Sequence, residues 1–422
     1  MNKIENNKIK EVAYTEKLEN GLQVIIIPKR NTNKKYIMWA TNFGSIDNRF
    51  IMPETGEEVF IPDGVAHFLE HKMFEQENGT NSLDTLMALG IDANAYTTND
   101  HTAYLFECTD EFYKGLDELM DYVQNPYFTD ENVEKEKGII GQEIRMYDDD
   151  PGFQLYIKNM ECLYKDNPVR IDIAGTVESI SKITPDVLYK CYKTFYNPGN
   201  MTMVVSGDFE PEELLKEIKK RLKPEKDIGE IKRIYPEEQE QINEKQVETK
   251  MEVSNPLWMI GIKDKVPNQE EIVKKHVAIE ILLDIIIGKS SRLYKKLYDE
   301  GLLLSEADLD YEFSKQYAHI LIGGQSKNPE KIKQEIIKEI ERLKLDGIEK
   351  QHFERIKKKL YGEYVTEFNN VSNIARMFLS DSMKNINSFD YIEQYSTIDK
   401  KYTEQILKDV FNTDKLVMSV IK

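Results

Sequence analysis

The sequence predicts an α+β fold made of two tandem homologous domains, each a mainly antiparallel sheet backed by helices. Three observations carry this expectation. Strand-like and helix-like stretches are interleaved, but tight turns between strands outnumber the long crossovers that a parallel sheet requires. The chain has 422 residues, too many for one ordinary core. Its end also replays an earlier piece: Ile398–Val420 can be laid on Ile183–Val205 at a constant offset of 215, without gaps. Asp399 then falls on Thr184, Val410 on Phe195, Asn412 on Asn197, Leu416 on Met201 and Val420 on Val205, so that cap, helix, turn and strand coincide.

In chain order, Leu18–Pro28 reads as two strands around Asn20-Gly21, the strongest short hairpin signal. Tyr36–Phe43 is a buried strand ending at Gly44. Asp63 is expected to cap a helix starting near Gly64, with Val65, Phe68 and Leu69 packing inward. A second helix, Leu83–Leu89, stops at Gly90. Ala93–Thr97 and Thr102–Cys108 are strand-like, and a helix from Thr109 carries an apolar stripe of Phe112, Leu116, Leu119, Met120 and Val123. Thr129 caps the next helix, which ends at Asp148-Asp149-Asp150, where Pro151 can open another. Thr184-Pro185 opens a helix that breaks at Asn197-Pro198-Gly199, before a buried strand from Met201. From Arg221 to about Gln246 the chain is polar and without firm periodicity, which divides it into domains 1–223 and 241–422 joined by a linker at 224–240.

Composition narrows the function. The formal charge of −18 argues against a nucleic-acid-binding surface, which needs clustered Lys and Arg. Three widely spaced cysteines without a C-x-x-C pair exclude a disulfide framework and a Cys-type zinc site. The N-terminus lacks the apolar core of a signal peptide, and no run approaches the ~18 apolar residues of a membrane span, so a cytoplasmic protein without membrane contact is the simplest expectation.

The chemistry is concentrated in His67-Phe68-Leu69-Glu70-His71. The chain has only six histidines, and two of them stand four apart on a predicted helix, where i and i+4 side chains share a face. Both imidazoles can therefore grip one divalent metal, with Glu70 in reach of a water on it; the order is H-x-x-E-H, the inverse of the H-E-x-x-H zinc helix. On the Thr129-capped helix, Glu136 and Glu143 are seven residues apart and return to nearly the same face. Beside a bis-histidine site, one of them can be a third ligand and the other a supporting partner. In the second half, the position where the histidine helix should recur is Ala278–Ile287, apolar and without histidine, so only the first copy retains the metal motif.

These segments, DGVAHFLEHKMFE (63–75), NAYTTNDHTAYLF (94–106), EKEKGIIGQEIRMYDDDP (134–151) and FYNPGNMTMVVSGD (195–208), resemble the pitrilysin/insulinase family of zinc metallopeptidases, in its shorter bacterial branch similar to the mitochondrial processing peptidase. The resemblance implies that His67, His71 and Glu143 are the ligands of one Zn2+ per chain, with Glu136 the accessory catalytic carboxylate. It implies that Asn94-Ala95-Tyr96 is the edge strand onto which substrate is laid. The family fold is a pair of duplicated α+β domains, and two such pairs commonly close like a clam shell. The implied activity is a zinc endopeptidase that hydrolyses peptides or unfolded polypeptide segments in an enclosed chamber, with Glu70 as general base on zinc-bound water. The alternative is a non-catalytic or weakly active peptide-binding subunit of a hetero-oligomeric peptidase; such a subunit is expected to lose a ligand or Glu70, and here all four are intact.

One departure concerns partners. Family members usually carry an Arg and a Tyr, seven apart in the second half, that contact substrate across the chamber. Here the Arg position falls near Tyr298 and the Tyr position on Leu304 or Ser305, while Arg292 belongs to a more structural part of the motif. A homologous second subunit that supplies the pair is therefore expected, as a heterodimer, or failing that a homodimer.

Overall fold

A computed structural model describes residues 1–422. The chain forms two compact units, and neither is continuous in sequence. The first comprises Met1–Ile144, Asp172–Tyr235 and Val365–Phe389; the second comprises Arg145–Ile171, Pro236–Tyr364 and Asp390–Lys422. The passage between units at Tyr235/Pro236 thus falls in the polar stretch, but two segments, 145–171 and 365–389, are exchanged between the halves.

The first unit is organised by a seven-stranded sheet. Its order is Asn2–Asn6, Glu11–Lys17, Gln23–Pro28, Met201–Gly207, Lys35–Thr41, Thr102–Cys108 and Asp92–Thr97. Only the Gln23–Pro28 and Met201–Gly207 pair is parallel. The hairpin at Asn20-Gly21 is present, closed by the Leu18 amide donating to the Leu22 carbonyl at 2.9 Å. Successive side chains on a strand point to opposite faces, and the burial pattern obeys this. Ile37, Trp39, Met203 and Val205 join the helix-side core. Tyr36, Met38, Ala40 and Val204 are buried on the other face, against the helix Val371–Met383. Each of the larger aliphatic side chains among them contributes roughly 1.5–3 kcal/mol by leaving water.

The second unit has a five-stranded sheet in the order Gln246–Thr249, Leu416–Ile421, Leu257–Asp264, Ala318–Gln325 and Asp308–Phe313. Again the first pair is parallel and the others antiparallel. This repeats the order and sense of the last five strands of the first sheet. The helix Pro151–Leu163 packs on Leu257–Asp264 and Leu416–Ile421, as Val371–Met383 does on the matching strands of the first unit. The repeat at offset 215 holds element by element: helix Pro185–Phe195 matches Lys400–Val410, and the turn Pro198–Asn200 matches Thr413–Lys415. Thr184 and Asp399 both cap their helices, and Asn197 and Asn412 both cap their turns. The fold is therefore α+β, as the sequence predicts. The helix expected from Thr109 starts later, at Phe112, with its whole apolar stripe buried. No helix is long and apolar enough to cross a membrane.

Candidate active site

The histidine helix spans Val65–Lys72, but Asp63 does not cap it. The N-cap is Gly64, with φ of 94° and no capping side chain. A Cβ on Gly64 would lie 2.4 Å from the Ala174 carbonyl oxygen, so the left-handed backbone and the crossing loop both require glycine here. Asp63 instead accepts from Asn48 Nδ2 at 3.3 Å, and its carbonyl accepts the Ser179 hydroxyl at 2.8 Å. Val65, Ala66, Phe68 and Leu69 are buried and anchor the helix.

Glu136 and Glu143 lie on the helix Asp130–Asp148. Thr129 Oγ1 accepts the Asn132 amide at 3.2 Å and Asn132 Oδ1 accepts the Thr129 amide at 2.9 Å, a reciprocal cap that fixes the start of this helix. Ile140, between the two glutamates, is buried in the core and turns both carboxylates toward the histidines. The His67 and His71 rings lie edge-on with centroids 4.6 Å apart. Glu143 places one oxygen 3.7 Å from His67 Nε2 and the other 3.5 Å from His71 Nε2. One donor atom from each of His67, His71 and Glu143 falls within 4.8 Å of the others, a spacing that can surround a metal ion. The donor set fits zinc in kind, with two imidazoles and one carboxylate leaving a fourth position open. It also fits in state: His67 Nδ1 is buried without a hydrogen-bond partner, and burial, helped by neighbouring His71, pushes the His67 pKa down to about 3, so the ring is neutral.

The surrounding groups are ordered. His71 Nδ1 stands 3.1 Å from Glu136 Oε1. Burial works against a charged His71, but the Glu136 hydrogen bond and the nearby carboxylates outweigh it and its pKa rises. Burial likewise opposes ionisation of Glu136, yet the bond to His71 and the charge of Lys72 hold its pKa below the usual range. Lys72 is fully buried, paired with Glu75 and 3.6 Å from Glu136. Glu70 is not one of the three donors and accepts a 2.6 Å hydrogen bond from Thr97 Oγ1; its pKa is raised by burial, against the effect of that bond.

Thr97 ends the strand Asp92–Thr97, which holds Asn94, Ala95 and Tyr96 and is the free edge of the sheet. The edge is thus tied directly to Glu70. Sequence reasoning passed over Lys72, whose signal is a lysine inside an otherwise buried helical turn, and His101. The His101 ring is buried, with Nδ1 2.6 Å from Asp100 Oδ1 and Nε2 3.3 Å from the Tyr96 hydroxyl. In the second unit, the strand Asp308–Phe313 follows Asp92–Thr97 by 216 residues, and the same step takes Glu143 to Lys359. There Lys359 makes a 2.5 Å ion pair with Asp284 of the apolar helix Ile272–Ile287. An ammonium–carboxylate pair replaces the imidazole–carboxylate donor set.

Residues 61–177 match the family model described as insulinase (peptidase family M16), and residues 182–360 match the one described as the peptidase M16 inactive domain. The Bacillus subtilis protein named "Uncharacterized zinc protease YmfH" is 39% identical over 98% of this chain and 97% of its own length. A solved structure of a putative M16-like peptidase from Alicyclobacillus acidocaldarius superposes with a TM-score of 0.94, at 34% identity over 99% of each chain. A Helicobacter pylori protease shares the fold, with a TM-score of 0.82 at 21% identity over 97% of this chain and 99% of its own. With a relative this similar along nearly its whole length, the chain belongs to the insulinase family of peptidases, M16.

Proposed function

We propose that this chain is a zinc endopeptidase that hydrolyses peptides or unfolded polypeptide segments. The observation that supports this reading best is the union of a His67/His71/Glu143 donor set with a buried Glu70 hydrogen-bonded to the end of a free edge strand. A zinc ion held by His67, His71 and Glu143 would supply Lewis-acid polarisation of the scissile carbonyl and activation of water near neutral pH. A peptide added to Asp92–Thr97 gains main-chain hydrogen bonds and is drawn toward Glu70 at the Thr97 end. Glu70 takes the proton of the attacking water on its carboxylate and returns it to the departing amine. The Thr97 hydroxyl holds Glu70 Oε2, which leaves Oε1 for that transfer. The raised pKa of Glu70 suits a group that must both accept and give back a proton.

Glu136 is read as a positioning residue. Its contact at His71 Nδ1 fixes the tautomer that presents Nε2 toward Glu143. Glu136→Gln is expected to keep most of the metal and to weaken it by about 10–100-fold in affinity, with activity intermediate between wild type and Glu70→Gln. Competition with a zinc chelator, run beside a peptide assay, measures both.

The second subunit remains part of the reading. Tyr298 and Leu304 are exposed; the resemblance places the family's Arg near Tyr298 and its Tyr on Leu304 or Ser305, and these residues supply neither the Arg fork nor a phenolic hydroxyl at its own position. A homologous chain carrying that pair is expected to raise turnover on unfolded peptides when mixed with this one, and the chain alone, or as a homodimer, to be feeble. The test is an assay of each chain alone and of the mixture, with sizing of the complex. Equal turnover by the chain alone, with no heteromer, would remove the partner from the account.

A further inference from the structure

The strand Asp92–Thr97 has two different faces. Ala93 and Ala95 pack into the helix-side core, and Thr97 bonds Glu70 on that side. By strand alternation, Asn94 and Tyr96 present the opposite face, the one covered by Val371–Met383. Arg376 of that helix lies with its guanidinium carbon 5.4 Å from the ring centroid of Tyr96 and 5.7 Å from that of Tyr36. Both distances are within the range of cation–π attraction. The Tyr96 plate is itself fixed: its ring meets His101 edge-on at 5.5 Å, and its hydroxyl is 3.3 Å from His101 Nε2, which Asp100 holds from behind.

Arg376 is exposed and joins no ion pair, although the chain has 75 acidic against 57 basic side chains. Of the carboxylates beside Tyr36, Glu107, its partner in register, is taken by Lys34 at 2.5 Å, and Asp92 stands opposite Glu107 at the start of the edge strand. A guanidinium stacked on rings keeps its in-plane donors free, in a fork that matches a carboxylate. We propose that Arg376, held across Tyr36 and Tyr96, selects an Asp or Glu side chain on a peptide laid along Asn94–Tyr96. A strand added at this edge turns every second side chain away from Glu70 and toward the face where Arg376 stands. The proposal rests on the reading of this edge as the peptide-binding strand.

The test uses the full chain loaded with zinc and C-terminally amidated fluorogenic peptides that differ by single Glu/Gln exchanges, so that only side-chain carboxylates are compared. Wild type is expected to prefer Glu at one alternate-face position by about five- to tenfold in kcat/KM, and the preference should shrink with added salt. In Arg376→Ala the Glu/Gln ratio should fall to about one, and Arg376→Glu should favour Lys at the same position. A ratio that survives in Arg376→Ala, or a loss shared equally by Glu and Gln peptides, overturns the proposal while leaving the peptidase reading intact. If this chain alone cleaves no peptide, affinities of the same peptides for Glu70→Gln, with and without Arg376→Ala, decide the matter. An Arg376-dependent Glu preference in binding supports the selection, and binding indifferent to Arg376, or no binding, refutes it.

Discussion

Replacing Glu70 by Gln should leave about one zinc per chain in place and slow peptide hydrolysis by at least ~100-fold. The substitution keeps the shape of the side chain and its hydrogen bond with Thr97, since the amide oxygen can accept where Oε2 does now. It removes the one property the mechanism requires, a carboxylate able to take a proton. Glu70 is outside the group of donors that can surround a metal, so binding should be unaffected. Burial also makes a neutral amide easier to hold there than the charged group it replaces. Unchanged turnover would sink the role of Glu70. Loss of zinc with normal folding would make Glu70 a metal-positioning residue instead.

His67→Ala and His71→Ala should each lose the metal and reduce turnover to background. Either change leaves two donors, too few for a site of three protein ligands. The two variants are expected to differ in stability. His71→Ala also frees Glu136, a buried carboxylate left with Lys72 as its nearest cation, whereas His67→Ala removes a ring whose Nδ1 has no partner to lose. His71→Ala should therefore have the lower melting temperature of the two. Elemental analysis of both folded variants is the check, and full zinc retention in both would rule out the ligand assignment.

Much of this architecture is written locally. The i, i+4 histidines, the Thr129 cap and the seven-residue spacing of Glu136 and Glu143 are short-range features, and the helices Val65–Lys72 and Asp130–Asp148 bring these side chains together. The repeat at offset 215 likewise depends on caps and turns, such as Asn197 and Asn412, that act within a few residues. What local chemistry does not encode is partnership at a distance. Periodicity shows that Pro151–Leu163 and Val371–Met383 have apolar faces, but not which sheet each one covers, and the exchange of these helices between units followed from neither. Asp63 looks like a cap because caps are statistical; the crossing of the Ala174 loop over Gly64 decides otherwise. Arg376 is 280 residues from Tyr96, and no spacing rule joins them.

The most direct test of the account is the product pattern from an unfolded polypeptide. Zinc-loaded wild type and Glu70→Gln, each alone and mixed with a homologous chain that carries the proposed Arg/Tyr pair, are incubated with the same substrate and the fragments sequenced by mass spectrometry. Internal cleavages present with wild type and missing with Glu70→Gln are the predicted result. The same fragments from both proteins, or no internal cleavage by wild type at full zinc loading, would contradict it.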